Sequence, residues 1–276
     1  MALQASGAIS LNDIQTEFGG SNPIGINEYY RDGSYVGSNN TSVPTSGAID
    51  FADFYSTTAA LVLNITSNAT EQNIKTLAVA AGLTDGSGVP IIVNISAILT
   101  GSSTHALQTG DLDNSHDITI NINSGGEING FTGATGANGT GAAGSTGGDA
   151  IYWGTDAGGS PTYIVNLSGG KLRSGGGGGG GGGQRGVRNT RYLEKYGDYW
   201  GTPSHYGSFG SDGAAGGYGQ AGSSGGSGTW GGGSTDCNIQ SPGGGGAGGA
   251  AGYALRKNSR TVTFNNTSGT LAGSVG

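Results

Sequence analysis

Residues 167–206 read LSGGKLRSGGGGGGGGGQRGVRNTRYLEKYGDYWGTPSHY, and at their centre nine glycines run without a break from Gly175 to Gly183. Such a run has neither helix nor strand preference, and glycine loses more chain entropy on ordering than any other residue. On either side the glycines stay in step. Gly130, Gly133, Gly136 and Gly139 recur every third residue, and Gly141, Gly144 and Gly147 do so again after a phase slip. From Gly207 to Gly231 nine glycines stand at steps of three, and Gly243, Gly246, Gly249 and Gly252 repeat the pattern. A period of three belongs to the extended threefold helix, with about 3 residues per turn and ~3.1 Å rise. Collagen shares that geometry but needs many prolines, and this chain has 6.

The remaining ordered solution is a bundle of polyglycine-II helices. A threefold helix makes no internal hydrogen bonds, so every amide must find a neighbour. A side-chain-free face lets the neighbour come close enough. Ordering a residue costs roughly 1–2 kcal/mol and a hydrogen bond returns about 0.5–1.5 kcal/mol, so a lone rod melts and only a bundle holds. The nine-glycine run, bare on all sides, belongs at the centre. The 207–231 run would span about 75 Å in one piece, so it must fold back, most easily near Ser211-Asp212 or Ser223-Ser224, with Asp212 and Tyr218 marking further turn sites. The competing reading is a flexible Gly/Ser linker.

Further out, 62 of the 276 residues are glycine, twelve in 1–123 and fifty in 124–276. That shift divides the chain into residues 1–58, 59–123 and 124–276. The expected fold is mostly irregular and β: a small α/β connecting domain followed by a polyglycine-II bundle with protruding loops. In 59–123, Ala59–Thr66 and Pro90–Leu99 read as strands, and Asp117–Asn123 alternates apolar and polar residues. Thr70–Ala81 reads as a helix capped by Asn68, with Glu71 in its first turn. In 1–58, Gly7-Ala8-Ile9-Ser10-Leu11-Asn12-Asp13-Ile14 is echoed by Gly47-Ala48-Ile49-Asp50-Phe51-Ala52-Asp53-Phe54. Ser10 and Asp50 are candidate helix caps, each preceded by an isoleucine staple. Its apolar residues look too few for a strong core, so Ile9, Leu11, Ile14, Phe18, Tyr29, Tyr30, Phe51 and Phe54 are read as an attachment surface that folds against a partner. A weakly ordered arm is the alternative.

The net charge of −7 disfavours a nucleic-acid partner. One cysteine, Cys237, excludes an internal disulfide. No apolar stretch is long enough to cross a bilayer, so no membrane insertion is expected. Met1–Gln15 lacks the basic and apolar regions of a signal peptide, which points to cytoplasmic synthesis. Catalytic signals are poor. His105, His116 and His205 lie in separate segments, so no metal site, cofactor or triad is expected. Asp111, Asp113, Ser115 and Asp117 resemble the start of a calcium loop but lack its glycine and terminal glutamate. The sequons at Asn64, Asn68, Asn94, Asn166 and Asn266 matter only in a secretory pathway.

The loop 184–206 differs from its surroundings. It carries Arg185, Arg188, Arg191, Tyr192, Lys195, Tyr196, Tyr199, Trp200, His205 and Tyr206, and Trp230 lies in the later loop 229–242. Tyr, Trp and Arg dominate binding hot spots and recognition loops, which makes these residues candidates for receptor contact. The plainer alternative is that the aromatics shield the bundle ends. The loop from Trp153 to Thr162, with Tyr152 and Tyr163 packed at its base, is a smaller candidate.

The order of motifs carries a resemblance. Gly147-Gly148-Asp149-Ala150-Ile151, then Ile164–Arg173 running into the nine glycines, is similar to the glycine-rich tail-fibre-tip adhesins of T-even-like bacteriophages. So are Ile118–Asn123 before a Gly-x-y run and Gly249–Leu255 with the closing strand Thr261–Phe264. The resemblance covers about residues 60–276. It implies a non-enzymatic virion protein whose loops bind an outer-membrane protein or glycan of the host. The N-terminal segment looks like those opening many phage structural proteins and departs from the T-even attachment domain. It implies docking to other phage tail or fibre proteins, with the capsid also open. A virion decoration protein without a receptor, an ice-binding bundle and a polysaccharide-degrading enzyme are the competing functions.

Overall fold

The computed structural model describes residues 3–276 apart from 32, 37–39, 84–88, 113–115, 155–161, 195–196 and 233–237. The side chains of 189–204 and 238–239 also fall outside that description. The regular secondary structure is mostly strand, with few and short helices.

One motif builds the main body. Leu61–Ile65, Ile91–Ile95, Ile118–Ile122, Tyr163–Leu167 and Val262–Asn266 each set apolar residues at the first and third positions, and each carries asparagine at its fourth position. They stack in parallel and in register as one five-stranded sheet. After each comes a short second strand: Ala69–Thr70, Ile98–Thr100, Glu127–Asn129, Lys171–Arg173 and Thr270–Ala272, which form a second five-stranded parallel sheet. Gln72–Asn73, Leu107–Gln108, Ile151–Tyr152, Tyr253–Arg256 and Ser274–Val275 form a third. Each turn of chain thus gives one strand to each of three sheets, and five turns stack as a three-sided solenoid.

Alternation points the odd positions inward. Leu63, Val93, Ile120 and Val165 from the first sheet meet Leu99, Ile128 and Leu172 from the second and Leu107, Ile151 and Leu255 from the third in one buried core. The asparagines point outward and bond along the stack. Asn94 Nδ2 donates to Asn64 Oδ1 at 3.0 Å, Asn121 to Asn94 at 2.9 Å, Asn166 to Asn121 at 2.8 Å and Asn265 to Asn166 at 2.9 Å. A parallel in-register stack repeats every ~4.8 Å, which places identical amides within bonding reach.

The glycine-rich segments are insertions into this solenoid. All of them leave at the corner between the second and third sheets. In the first turn that corner is Glu71 alone, and in the fifth it is Gly273, both at positive φ. In the third turn it is residues 130–150, and in the fourth it is 174–252. The change of composition at residue 123 therefore does not divide the sheets, because each of the three takes strands from both sides of it.

Within the insertions the chain bonds sideways at every third residue. The central run donates from Gly175, Gly178 and Gly181 to Gly148, Ser145 and Ala142, and from Gly177, Gly180 and Gly183 to Gln220, Ser223 and Gly226. It accepts from Gly133 and Gly136, from Gly210, Gly213 and Gly216, and from Gly246, Gly249 and Gly252. Five neighbouring segments (130–137, 141–148, 207–217, 220–229 and 243–252) therefore surround it. The phase slip between Gly139 and Gly141 is the turn between the first two, with both glycines at positive φ. The 207–231 run does fold back, but at Tyr218-Gly219 and at neither serine pair; Gly219 has φ 72°. Asp212, set beside the expected turn, accepts a 2.8 Å bond from the Gly182 amide instead.

The helix expected over 70–81 is shorter. It runs Ile74–Ala80 and is capped by Asn73, whose side chain accepts from the Thr76 amide. Asn68 caps nothing; its side chain accepts from the Ile98 amide on the next turn. Residues 69–73 are drawn into the sheets by strand pairing. Glu71 sits at the corner, where its carboxylate accepts from the amides of Ser102, Ser103 and Thr104. Those bonds hold its pKa at about 2, below the ordinary 4.5. A depressed carboxyl stabilises the fold fully above its ordinary value and loses that contribution as pH falls through the folded one. Glu71→Gln should therefore melt below the parent at neutral pH, and the gap should close towards pH 2. Melting temperatures across that range check it.

Residues 3–59 carry a core of their own. Ile14, Phe18, Tyr29, Val36, Val43 and Phe54 are buried together. Helix Leu11–Phe18 is capped by Ser10, and the 3-10 turn Phe51–Phe54 by Asp50, each through a reciprocal capping box with Asp13 or Asp53. The repeated motif thus makes two matching caps. The segment gathers more core than its aromatic content suggests because Phe18, Tyr29 and Phe54 pack edge-on, with ring centroids 6.2–6.4 Å apart.

Candidate functional site

The loop 184–206 is a β-hairpin. Val187–Glu194 pairs antiparallel with Gly197–Tyr206, and Asn238–Gln240 adds a third strand. Valine, threonine and aromatics favour strands, and the register sets Arg191 opposite Trp200 and Tyr192 opposite Tyr199. Register breaks between Asn189 and Thr190, leaving Thr202 and Pro203 unpaired on the other strand. Pro203 has no amide to contribute, so a bulge is the place it fits.

The hairpin grows from the far end of the central glycine run. Residue 174 joins the solenoid and residue 184 starts the hairpin, whose root is stitched to the lattice by bonds from Gly186 to Thr229, Gly207 to Gly186 and Thr229 to Ser208. The turn 138–141 lies at the same end, where Gly139 abuts Phe209.

Around the root, cations cover aromatic faces. The Arg185 guanidinium sits 4.2 Å over Tyr206 and 5.1 Å over Phe209, and Arg188 sits 4.2 Å over Trp230. Cation–π contacts of this kind are worth about 0.5–2 kcal/mol. Tyr206 and Phe209 remain 57% and 51% exposed. Trp230 and His205 are half-buried. Arg185, Arg188, His205, Tyr206 and Trp230 are thus brought together at one end of the lattice. Arg191, Tyr192, Tyr199 and Trp200 lie on the hairpin by backbone position, while their side chains, with Lys195 and Tyr196, lie outside the described residues.

Phe209, outside the loop 184–206, also belongs to this cluster. Its signal was in plain view: Gly207-Ser208-Phe209-Gly210 sets a large ring in a repeat whose other positions are small. Trp153, by contrast, is fully buried against Tyr163, at 5.0 Å between centroids, and is core rather than loop.

Of the candidate attachment residues, Ile14, Phe18, Tyr29 and Phe54 are buried in the N-terminal core. Ile9, Leu11 and Tyr30 are half-buried, and Phe51 is 43% exposed. Among the described residues, no group of three or more His, Cys, Asp or Glu is placed to hold a metal ion. Nor is any helix long and apolar enough to cross a membrane.

The family model described as phage tail fibre adhesin Gp38 matches residues 60–276, which is the solenoid with its insertions. Among solved structures, the crystal structure of the gp37-gp38 adhesin tip complex of the bacteriophage S16 long tail fiber is similar at 21% identity. The match covers 84% of this chain and 88% of that one, with a TM-score of 0.42. No curated protein matches.

Proposed function

We propose a receptor-display mechanism on one premise: this chain belongs to the phage tail fibre adhesin Gp38 family. It is accordingly a tail-fibre adhesin of the virion tail. In our reading the insertions form a polyglycine-II sandwich, an inference supported by sideways bonding at every third residue. Nine residues at ~3.1 Å rise then carry the hairpin about 28 Å from the solenoid. The far end of the lattice is the receptor-contact surface.

The observation that carries this reading is the half-exposed Arg185–Tyr206–Phe209 cluster at the hairpin root, on a scaffold faced mostly with small residues. Aromatic burial supplies affinity there, and the cations steer the surface towards anionic groups of the host envelope. The role is binding, with no bond made or broken. The N-terminal module docks to other tail or fibre proteins, with Phe51 the exposed apolar anchor and Ile9, Leu11 and Tyr30 beside it. Ile14, Phe18, Tyr29 and Phe54 support that surface from beneath.

The double variant Tyr199→Ala/Trp200→Ala, at consecutive positions of the hairpin's second strand, should cut binding to host cells by tenfold or more, since hot-spot aromatics are worth about 2 kcal/mol or more each. Its melting temperature should match the parent's. Undiminished binding would sink the assignment and favour a decoration role.

A further inference from the structure

The central glycine run is saturated on every side but one. In a threefold rod, successive residues point 120° apart, so its nine amides fall into three rows. The row Gly175, Gly178, Gly181 is bonded to segment 141–148, and the row Gly177, Gly180, Gly183 to segment 220–229. The nine carbonyls all accept, from segments 130–141, 207–217 and 243–252. The third row of amides is Gly176, Gly179 and Gly182. Only Gly182 has a partner, the Asp212 carboxylate. Gly176 and Gly179 donate to nothing among the described residues, although both are buried at the backbone.

The neighbours show why. Segment 130–137 bonds to 141–148, which bonds to 243–252, then to 220–229, then to 207–217. That chain of contacts stops there, with no bond from 207–217 back to 130–137. Five of the six positions around a hexagonally packed rod are filled, and the sixth is a groove. Its floor is the Gly176 and Gly179 amides. One wall is Asp212, Ala215 and Tyr218, which share a face at steps of three. The other is Thr132 and Thr135, on the face turned away from the bonded residues Phe131 and Ala134. The carbonyls of Gly213 and Gly216 lie beside the floor, each 1.9–2.0 Å from where a Cβ on Gly179 or Gly176 would stand. They too accept no backbone bond.

We propose that this groove binds an extended glycine-repeat segment of another protein chain, seated as the missing sixth rod. The two free amides are three residues apart, about 9.3 Å, the distance between carbonyls i and i+3 of a threefold peptide. The flanking free carbonyls call for a ligand that donates as well as accepts. A peptide backbone does both, whereas a lone anion answers only the amides. The five seated segments all carry glycine at every third residue, and at most of these an added Cβ would strike neighbouring backbone at 1.8–2.3 Å. The guest must therefore be bare at every third residue. Asp212 plugs the Gly182 end, and Arg173 packs over Tyr218 at the other, at 4.4 Å. The open length suits about six residues.

Amide NMR on the ¹⁵N-labelled full chain tests this, with acetyl-(Gly-Ser-Ala)₃-amide as probe. The peptide should move the Gly176 and Gly179 resonances and slow their hydrogen exchange about tenfold. Acetyl-(Val-Ser-Ala)₃-amide should not. Ala215→Trp, which fills the groove from one wall, should abolish the response, with unchanged Gly177 and Gly178 resonances reporting an intact lattice. Thr135→Trp does the same from the other wall should the first variant misfold. No response to the glycine peptide at millimolar concentration would overturn the proposal. So would an equal response in both groove-filled variants, or a response to maltotriose in place of the peptide.

Discussion

Gly178→Ala is expected to break the glycine lattice, while Gly244→Ala leaves it intact. The two glycines differ in surroundings more than in sequence. A Cβ on Gly178 would stand 2.0 Å from the Ala134 carbonyl oxygen and 2.4 Å from its carbon. Both are backbone atoms of a neighbouring segment, so no side chain can swing away. Relief requires that segment to move, which loosens its bonds to the run, from Gly133 to Gly176 at 2.8 Å and from Gly136 to Gly179 at 2.9 Å. Overpacking costs about 1–3 kcal/mol and each lost hydrogen bond about 1 kcal/mol, so the loss should reach ~4 kcal/mol. Around Gly244 nothing lies within 4 Å, and its φ is not in the left-handed region. Alanine there trims the freedom of the unfolded chain and should add about 0.4–1 kcal/mol. Thermal unfolding of the two variants side by side decides it. Equal melting points would mean the segments are not held by backbone contact.

A second large effect is expected at Asp149. This residue closes the 130–150 insertion and stands where the 174–252 insertion returns. It is 3% exposed. Its carboxylate accepts from the Tyr253 amide at 2.7 Å and from Arg256 Nε at 2.5 Å and Nη2 at 3.1 Å, with His105 Nδ1 3.4 Å away. Burial pushes its pKa up, but His105, Arg256 and the Tyr253 amide outweigh it and hold it below the usual range. Asp149→Ala leaves Arg256 without its counter-ion in a half-buried site. Removing one partner of a fully buried pair costs about 3–5 kcal/mol, and the 36% exposure of Arg256 sets the cost here at the lower end of that range. The variant should melt far below the parent near neutral pH. Because the folded carboxyl titrates below its unfolded value, the difference should shrink in acid. A gap independent of pH would show that packing, and not the ion pair, is what the substitution removed.

Half of this architecture could be read from residue types alone. Glycine at steps of three announces backbone contact because only a residue without Cβ permits it, and the chain length forces a reversal. Where the chain turns back depends on which residues reach positive φ. Tyr218-Gly219 turns because the glycine can, while Ser211-Asp212 runs straight because Asp212 is occupied with Gly182.

The solenoid was hidden for a different reason. Its signature is a six-residue motif (Leu-Val-Leu-Asn-Ile-Thr, Ile-Ile-Val-Asn-Ile-Ser, Ile-Thr-Ile-Asn-Ile-Asn, Tyr-Ile-Val-Asn-Leu-Ser and Val-Thr-Phe-Asn-Asn-Thr) whose copies are separated by 21 to 93 intervening residues. Such spacing defeats any search for a fixed period. Three of the sequons, at Asn64, Asn94 and Asn166, are rungs of the amide ladder. Glu71 misled for a local reason: an acidic residue near an apolar run suggests a first helical turn, yet its positive φ commits it to the corner.

At the hairpin, the cationic and aromatic composition marked the loop, but not its neighbour Phe209. Composition also could not show that Ile14, Phe18, Tyr29 and Phe54 close on one another.

The two insertions start from adjoining strands of the second sheet and re-enter adjoining strands of the third. Exit and entry are thereby fixed by the scaffold, whatever is spliced between them. Hairpin sequence can drift, lengthen or be exchanged as a cassette without disturbing a rung of the stack. Whatever surface the insertions present can change in this way while the three sheets stay as they are.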